Sequence, residues 1–416
     1  MKIAVIGSGI SGLTAASQLD DDHEVHLFEA QSHAGGHTRT IPVQAHGRTW
    51  PVDTGFVVFN TETYPGLCGL FDSLGLKRRE TSMSFSVKCP RTGFEYQGAG
   101  LSGFYASRRN ILNPVHHLML RDIIRFHKDA RLLLQSDDDT MTLDDWIEKR
   151  GYNKAFRNRY LLPIGSSIWS CSRGDFGRFP ARFVIEFMTN HRMLQIGDRP
   201  IWQTLTGGSD SYVDAMLKRF NGTLHLDTPV QRTRRTGDGV DISIDESGWL
   251  PFDHVVVACH ADQALDLVES PDGIESELLE CFPYSPNLVT LHTDQSRLPR
   301  RPAARASWNY LLGQEDEPAS LTYDMSRLQG LDSPEPFLVT LNDNGTLDES
   351  RILLQFETSH PTYHSMRAHA QARHGELINR GSLSYCGAYW GYGFHEDGYQ
   401  SGLRAAAGIL TADRTS

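Results

Sequence analysis

The chain opens on KIAVIGSGISGLTAASQL, and no other stretch restricts the fold as much. Gly7, Gly9 and Gly12 stand in G-x-G-x-x-G spacing after a short β-branched run and ahead of the helix-forming ISGLTAASQL; EVHLFEA then predicts a second strand ending on Glu29. Strand, glycine turn, helix, strand and acid within about 30 residues make a βαβ dinucleotide unit. Gly7 permits the tight turn, Gly9 lets backbone approach a pyrophosphate, and Gly12 lets the helix pack on the strand. The helix amino terminus, with Ser11 in its first turn, supplies N–H groups and a positive dipole. Glu29 is placed to hydrogen-bond an adenosine ribose hydroxyl and to repel a 2′-phosphate, which disfavours NADP. These residues alone leave NAD and FAD open.

At 416 residues the chain suggests two or three domains, and 39% apolar content is enough for a sizeable core. A net charge of −11 argues against nucleic acid as partner. The six cysteines form no C-x-x-C pair and read as free thiols, not as a disulfide framework or metal site. No apolar run approaches the ~20 residues of a membrane span, and the amino terminus has no signal-peptide anatomy. A cytoplasmic protein is expected, with peripheral membrane contact left open. There is no second strand-GxGxxG-helix for a bound pyridine nucleotide, and no nucleophile elbow or H-E-x-x-H.

After the second strand comes AQSHAGGHTRT, where Gly35 and Gly36 suit a loop with positive φ or a close ligand approach. PVDTGFVVFN follows, then TLTGGSDSYVDAMLKRF, and then PVQRTRRTGDGVDISIDESGWLPFDHVVVACHADQAL, which reads as three strands with turns at TGDG and ESGW. NLVTLHTD and RASWNYLL read as strands. Residues 113–135 read as an amphipathic helix with Asn113 as N-cap and Pro114 at its first position; Thr142 and Asp145 form a capping box for another. That amphipathic helix is either an ordinary packed element or an interfacial one. Near the end stands GYGFHEDGYQSG, whose glycines, aromatics, histidine and acids exceed what a frayed tail needs.

Together with YLLPIGSSIWS, FMTNHRMLQ, YSPNLVTLHTD, ASWNY and CGAYWGYGFHEDG, these stretches resemble a bacterial family of NAD/FAD-binding proteins in the flavin amine oxidase superfamily. Carotenoid desaturases and protoporphyrinogen oxidase are more distant relatives. The resemblance implies an α/β, glutathione-reductase-type FAD domain from residues 1–60, 196–261 and 376–416. An α+β substrate domain, residues 61–195 and 262–375, is inserted into it. It implies non-covalent FAD, held by Gly7, Gly9, Ser11, Gly12, Glu29, Ala30, Gly35, Gly36, His37, Thr38, Thr54 and Gly55. Val230, just after the first of the three strands, is the match for an adenine contact. Gly387, Ala388, Glu396, Asp397, Gly398 and Tyr399 complete the set, with a helix from about Tyr399 pointing at the flavin; capping of that helix is the alternative for Glu396 and Asp397. His395, His292 and Trp308 are the catalytic candidates, with a hydrogen-bonded sheet histidine the alternative for His292 and packing or a pocket wall the alternative for Trp308.

The sequence also departs from amine oxidases. They often hold a water near the flavin with a lysine, but no lysine follows Lys218; position 37 is His where Arg is usual; and Cys386 replaces the alanine of an Ala-Gly pair. Genes of the family often neighbour cyclopropane fatty-acid synthases. The expected activity is therefore hydride removal from an apolar substrate, such as a lipid acyl chain. Oxidation of a small amine and non-redox FAD-dependent isomerisation are the alternatives. Electron acceptor and oligomeric state are open.

Overall fold

The computed structural model describes all residues except 136–139, 196, 198, 199, 246, 247 and 414–416, so the ESGW turn lies partly outside the described residues. Five parallel strands form one sheet in the order Leu383–Tyr385, His254–Val257, Lys2–Ile6, Glu24–Phe28, Thr223–His225. Its strands come from both ends of the chain and from the middle. Their near-continuous Val, Ile and Leu content fits a sheet covered on both faces. Ile3, Val5, Leu27 and Val256 are fully buried on one face with Leu13, Ala16 and Ile409 of the two helices packed there. Those are the first helix, Ile10–Leu19, and the last, His395–Asp413.

A second sheet of seven strands runs Ile352–Pro361, Tyr284–His292, Leu338–Leu341, Ser320–Asp324, Trp308–Leu311, Phe85–Cys89, Phe94–Gln97. It is antiparallel except where Trp308–Leu311 pairs with Phe85–Cys89. Helices between Leu101 and Asn190 share its core, among them Pro114–Leu133 and Leu162–Trp169, whereas Pro65–Ser73 packs with the parallel sheet. The molecule is thus mixed α/β. Asn113 caps Val115 with Pro114 at the first helical position, and Thr142 caps Asp145, as the sequence predicts.

The long segment expected as three strands carries four. Arg232–Arg235, Val240–Ser243 and Leu250–Phe252 form an antiparallel sheet of their own, and His254–Val257 leaves it for the parallel sheet. Val230 precedes the first of these strands instead of following it. The last helix begins at His395, a turn before the expected Tyr399, because the Asp397 carboxylate accepts from Phe394 N at 2.9 Å and caps it early.

Candidate active site

All five parallel strands end at one cavity of about 1360 Å³. Gly7–Ser11 follow the first strand, Glu29–Gln31 the second, Thr228–Val230 the third, Ala258–His260 the fourth and Gly387–Tyr389 the fifth, and all of them line it. Carboxyl ends of parallel strands are where such sheets bind ligands. The volume exceeds the ~300–1,000 Å³ of common single-ligand pockets, so it can hold a dinucleotide and a second molecule.

The glycines divide their work as read from the sequence. Gly7 sits at φ +101, and its N–H donates to Phe28 O at 2.8 Å, closing the turn. A Cβ on Gly12 would collide with the Gly7 carbonyl, so Gly12 serves helix–strand packing and does not line the cavity. A Cβ on Gly9 would meet nothing within 4 Å: this is the open approach to the first helix, whose N-cap no side chain satisfies. Gly35 and Gly36, at φ +120 and +60, carry the next loop across it, with Gly35 N donating to Ser8 O at 3.1 Å. Glu29 accepts from Ser8 N at 3.0 Å, from the Ser8 hydroxyl and from Gln31 N at 2.9 Å. Each carboxylate oxygen has two acceptor sites, so Glu29 keeps capacity for a ligand hydroxyl. An open helix terminus, a bare glycine beneath it and a cavity-lining carboxylate 20 residues on fit the pyrophosphate and ribose of FAD.

Ala30, His37, Thr54, Gly55, Val230, Gly387 and Ala388 also line the cavity. Thr38 does not: buried, it bonds Tyr212 at 2.7 Å and His395 Nε2 at 2.9 Å, and so positions His395. His395 lines the cavity and stacks on Phe56 with centroids 3.8 Å apart; burial pushes its pKa down to about 3, so it stays uncharged. Trp308 lines the cavity too, edge-to-face on Tyr323, and its buried indole N–H has no partner among the described residues.

Besides Gly12 and Thr38, five further site expectations are corrected. His292 is fully buried in the seven-stranded sheet, bonded through Nε2 to Thr340 Oγ1 at 2.7 Å and through Nδ1 to Asp294 N at 3.1 Å, and does not reach the cavity. Glu396 points away and accepts from Gly66 N and Leu67 N at 3.1 and 2.8 Å, capping the helix Pro65–Ser73. Asp397 caps its own helix. Gly398 faces helix, not ligand, since a Cβ there would lie 2.8 Å from Ile10 Cγ2. Tyr399 packs over Gly66. The glycine-rich ending thus does two jobs: Gly393, Phe394 and His395 line the cavity, and Gly398 and Gly402 let the last helix lie against the first.

Sequence reasoning named His37 but missed the two half-buried histidines beside it. His37 lies 5.5 Å from His260 and 5.2 Å from His360 by ring centroids, and it bonds Thr358 Oγ1 at 3.0 Å and Ser359 O at 3.1 Å. Burial lowers all three pKa values, His260 and His360 to about 3, so the group is neutral. No metal-holding cluster of His, Cys, Asp or Glu exists among the described residues. The position of His260 just past a parallel strand was the available signal. Asp53 was missed as well: it lines the cavity and accepts from Thr40 Oγ1 (2.6 Å), Ser209 N (2.9 Å), Ser209 Oγ (3.1 Å) and Gln329 Nε2 (3.0 Å).

Residues 10–300 match the family model for flavin containing amine oxidoreductase. An L-amino-acid oxidase of Siganus canaliculatus is 25% identical over 71% of this chain and 57% of its own length. A zeta-carotene desaturase of Zea mays is 26% identical over 54% of this chain and 42% of its own. The chain therefore spans about half the length of each. Among solved structures, cyclohexylamine oxidase from Brevibacterium oxydans superposes with a TM-score of 0.70 at 17% identity, covering 99% of both chains. A fatty acid isomerase from P. acnes superposes with a TM-score of 0.68 at 16% identity, covering 99% of this chain and 98% of that one.

Proposed function

We propose, from the premise that this chain belongs to the flavin-containing amine oxidoreductase family, that it is an FAD-dependent oxidoreductase removing hydride from an apolar substrate, a lipid acyl chain. The observation that carries the substrate class is the cavity wall built by the seven-stranded sheet and its helices: Ile164, Ile168, Met325, Val339, Leu341 and Phe356, with no lysine anywhere on the lining. Burial in such a slot yields about 0.8 kcal/mol per CH₂, so eight methylenes supply about 6 kcal/mol of gross binding. Relatives on this fold include proteins named for amino acids, amines, carotenes and a fatty acid, so the discrimination rests on the wall and not on the fold.

FAD, when bound, supplies the hydride acceptor. The chain's own residues position and exclude water. In this reading residues 1–60, 196–261 and 376–416 form a glutathione-reductase-type FAD unit, and 61–195 with 262–375 the substrate unit. The first helix terminus at Gly9 and Ser11 holds the pyrophosphate, and Glu29 the ribose. Thr38 bonds Nε2 of the uncharged His395 and holds its ring at the cavity wall. The unpartnered Trp308 N–H offers one donor to a substrate ester or carboxyl oxygen in otherwise apolar surroundings.

Anaerobic stopped-flow of the flavoprotein tests this. Bleaching by phospholipids or fatty acids, with little response to putrescine or cyclohexylamine, is expected. Rapid bleaching by the amines and none by lipids restores the amine-oxidase reading; a rearranged lipid without net oxidation establishes an isomerase.

A further inference from the structure

Seven of the thirteen large apolar side chains most exposed among the described residues fall within residues 101–132: Leu101, Ile111, Leu112, Val115, Leu118, Ile124 and Leu132. Leu112 is 86% exposed and Leu101 68%. The helix Pro114–Leu133 is the centre of this surface. One of its faces, with Met119, Ile123, Phe126 and Ala130, is buried in the core. The far side exposes Leu118, Ile124 and Leu132, interleaved with Arg121, Lys128 and Arg131, and Val115 is exposed at the amino-terminal turn. An ordinary amphipathic helix has one apolar stripe; this one has two, and the second is left unpartnered.

The charge of this surface opposes that of the molecule. Residues 101–135 hold six Arg or Lys against two Asp in a chain of net charge −11, and the sequence turns acidic again at Asp137, Asp138 and Asp139. The buried Asp122 is bonded by Arg121, and Asp129 pairs with Arg125, whereas Arg108 and Arg109 stand exposed beside Ile111 and Leu112. The surface is also continuous with the cavity rim. Gly98 and Ala99 line the cavity immediately before Leu101, and Ile201, 61% exposed, lines it as well.

We propose that the surface formed by residues 101–132 docks on an anionic phospholipid bilayer, with Leu101, Ile111 and Leu112 entering the acyl boundary and Arg108, Arg109 and Lys128 at the phosphates. Exposed apolar residues flanked by cations, spread over two short helices and one long one, match a fluid anionic surface. A folded partner protein would need complementary relief. The docked geometry turns the rim beside Ala99 toward the lipid. It deepens the acyl-chain reading without depending on turnover.

The test is co-sedimentation of the full-length flavoprotein with vesicles of phosphatidylcholine alone or with 30% phosphatidylglycerol, at low and high salt. The expected result is binding to the anionic vesicles only, weakened several-fold by salt. Ile111→Asp with Leu112→Asp should weaken it at least tenfold, and Arg108→Gln with Arg109→Gln several-fold, with unchanged melting because all four side chains are exposed. Absence of wild-type binding, or wild-type binding by both variants, overturns the proposal. So does a dimer in sedimentation velocity that Leu112→Asp dissociates, since a second copy would then be the occupant. Vesicle binding with no flavin bleaching by lipids would leave the docking surface standing and remove the acyl-chain substrate.

Discussion

Glu29 and Asp53 are buried carboxylates on the same cavity with opposite tasks. Glu29 keeps acceptor sites beyond its bonds to Ser8 and Gln31, so a ribose hydroxyl can add to it. Glu29→Ala removes one charge-assisted hydrogen bond of about 2 kcal/mol and is expected to weaken FAD roughly thirtyfold. Fluorescence titration of apo-protein measures this, and unchanged affinity would mean that Glu29 does not touch the ribose. Asp53 instead ties the strand Arg48–Asp53 to Ser209 and Gln329, and burial raises its carboxyl to about 7 from an ordinary 3.8 against the lowering effect of the Thr40 and Ser209 donors. The folded chain thus holds this proton more tightly than the unfolded chain. Its contribution to stability is present below about pH 4 and disappears as pH rises to about 7, at most about 4 kcal/mol across the window. Asp397, also raised to about 7, adds a slope of the same sign. Asp53→Asn cannot titrate. The stability of wild type minus this variant should therefore fall from pH 4.5 to 7.5 in thermal melts of the apo-protein, and a flat difference would refute the shift.

Two helical glycines make a matched pair of experiments at the level of elements. A Cβ on Gly402 would collide with the Ser11 carbonyl of the first helix, whereas one on Gly69 would meet nothing within 4 Å on the exposed side of Pro65–Ser73. Glycine costs a helix roughly 0.5–1 kcal/mol relative to alanine, and overpacking a tight crossing costs about 1–3 kcal/mol. Gly69→Ala is therefore expected to raise the melting temperature, and Gly402→Ala to lower it and loosen FAD. Equal shifts in calorimetry would show that the two helices do not cross as closely as their glycines imply. Local chemistry made several elements readable: the Asn113-Pro114 start, the Thr142 cap and the first βαβ unit all satisfy backbone groups within a few residues. The beginning of the last helix was not readable. Its cap, Asp397, reads in the sequence equally as a cap or as a ligand residue, and Glu396 serves a helix 330 residues away in sequence. Nor could alternation reveal that His254–Val257 abandons the sheet of the strand just before it.

At the scale of the molecule, the glycine turn at the amino-terminal end of the cavity was legible because a phosphate turn needs glycines at fixed spacing whatever surrounds them. The substrate half was not, because its wall is assembled by the seven-stranded sheet from segments more than 200 residues apart, such as Phe85–Cys89 against Trp308–Leu311. Buried sheet histidines and cavity histidines look alike in a sequence, which is why His292 was taken for a site residue and His260 was passed over. The same long-range assembly bears on how the cofactor is held. Cys386, which stands in the Ala-Gly position beside the last helix, is fully buried off the cavity, and burial pushes its thiol up to about 12. Cys259 does line the cavity, but its thiol is likewise pushed to about 12, and the thiolate is the nucleophile. Neither sulfur is disposed to bond the flavin, so acid or urea should release all of it without proteolysis. Because both chain ends build the site, FAD binds only the folded state and stabilises it by RT ln(1 + [L]/Kd), about 4 kcal/mol at a thousandfold excess over Kd. Stripping the flavin should lower the melting temperature by several degrees, and adding FAD should restore it. Flavin that stays on the denatured chain would overturn the non-covalent assignment, and a melting temperature indifferent to FAD would mean that the two ends do not share the cofactor.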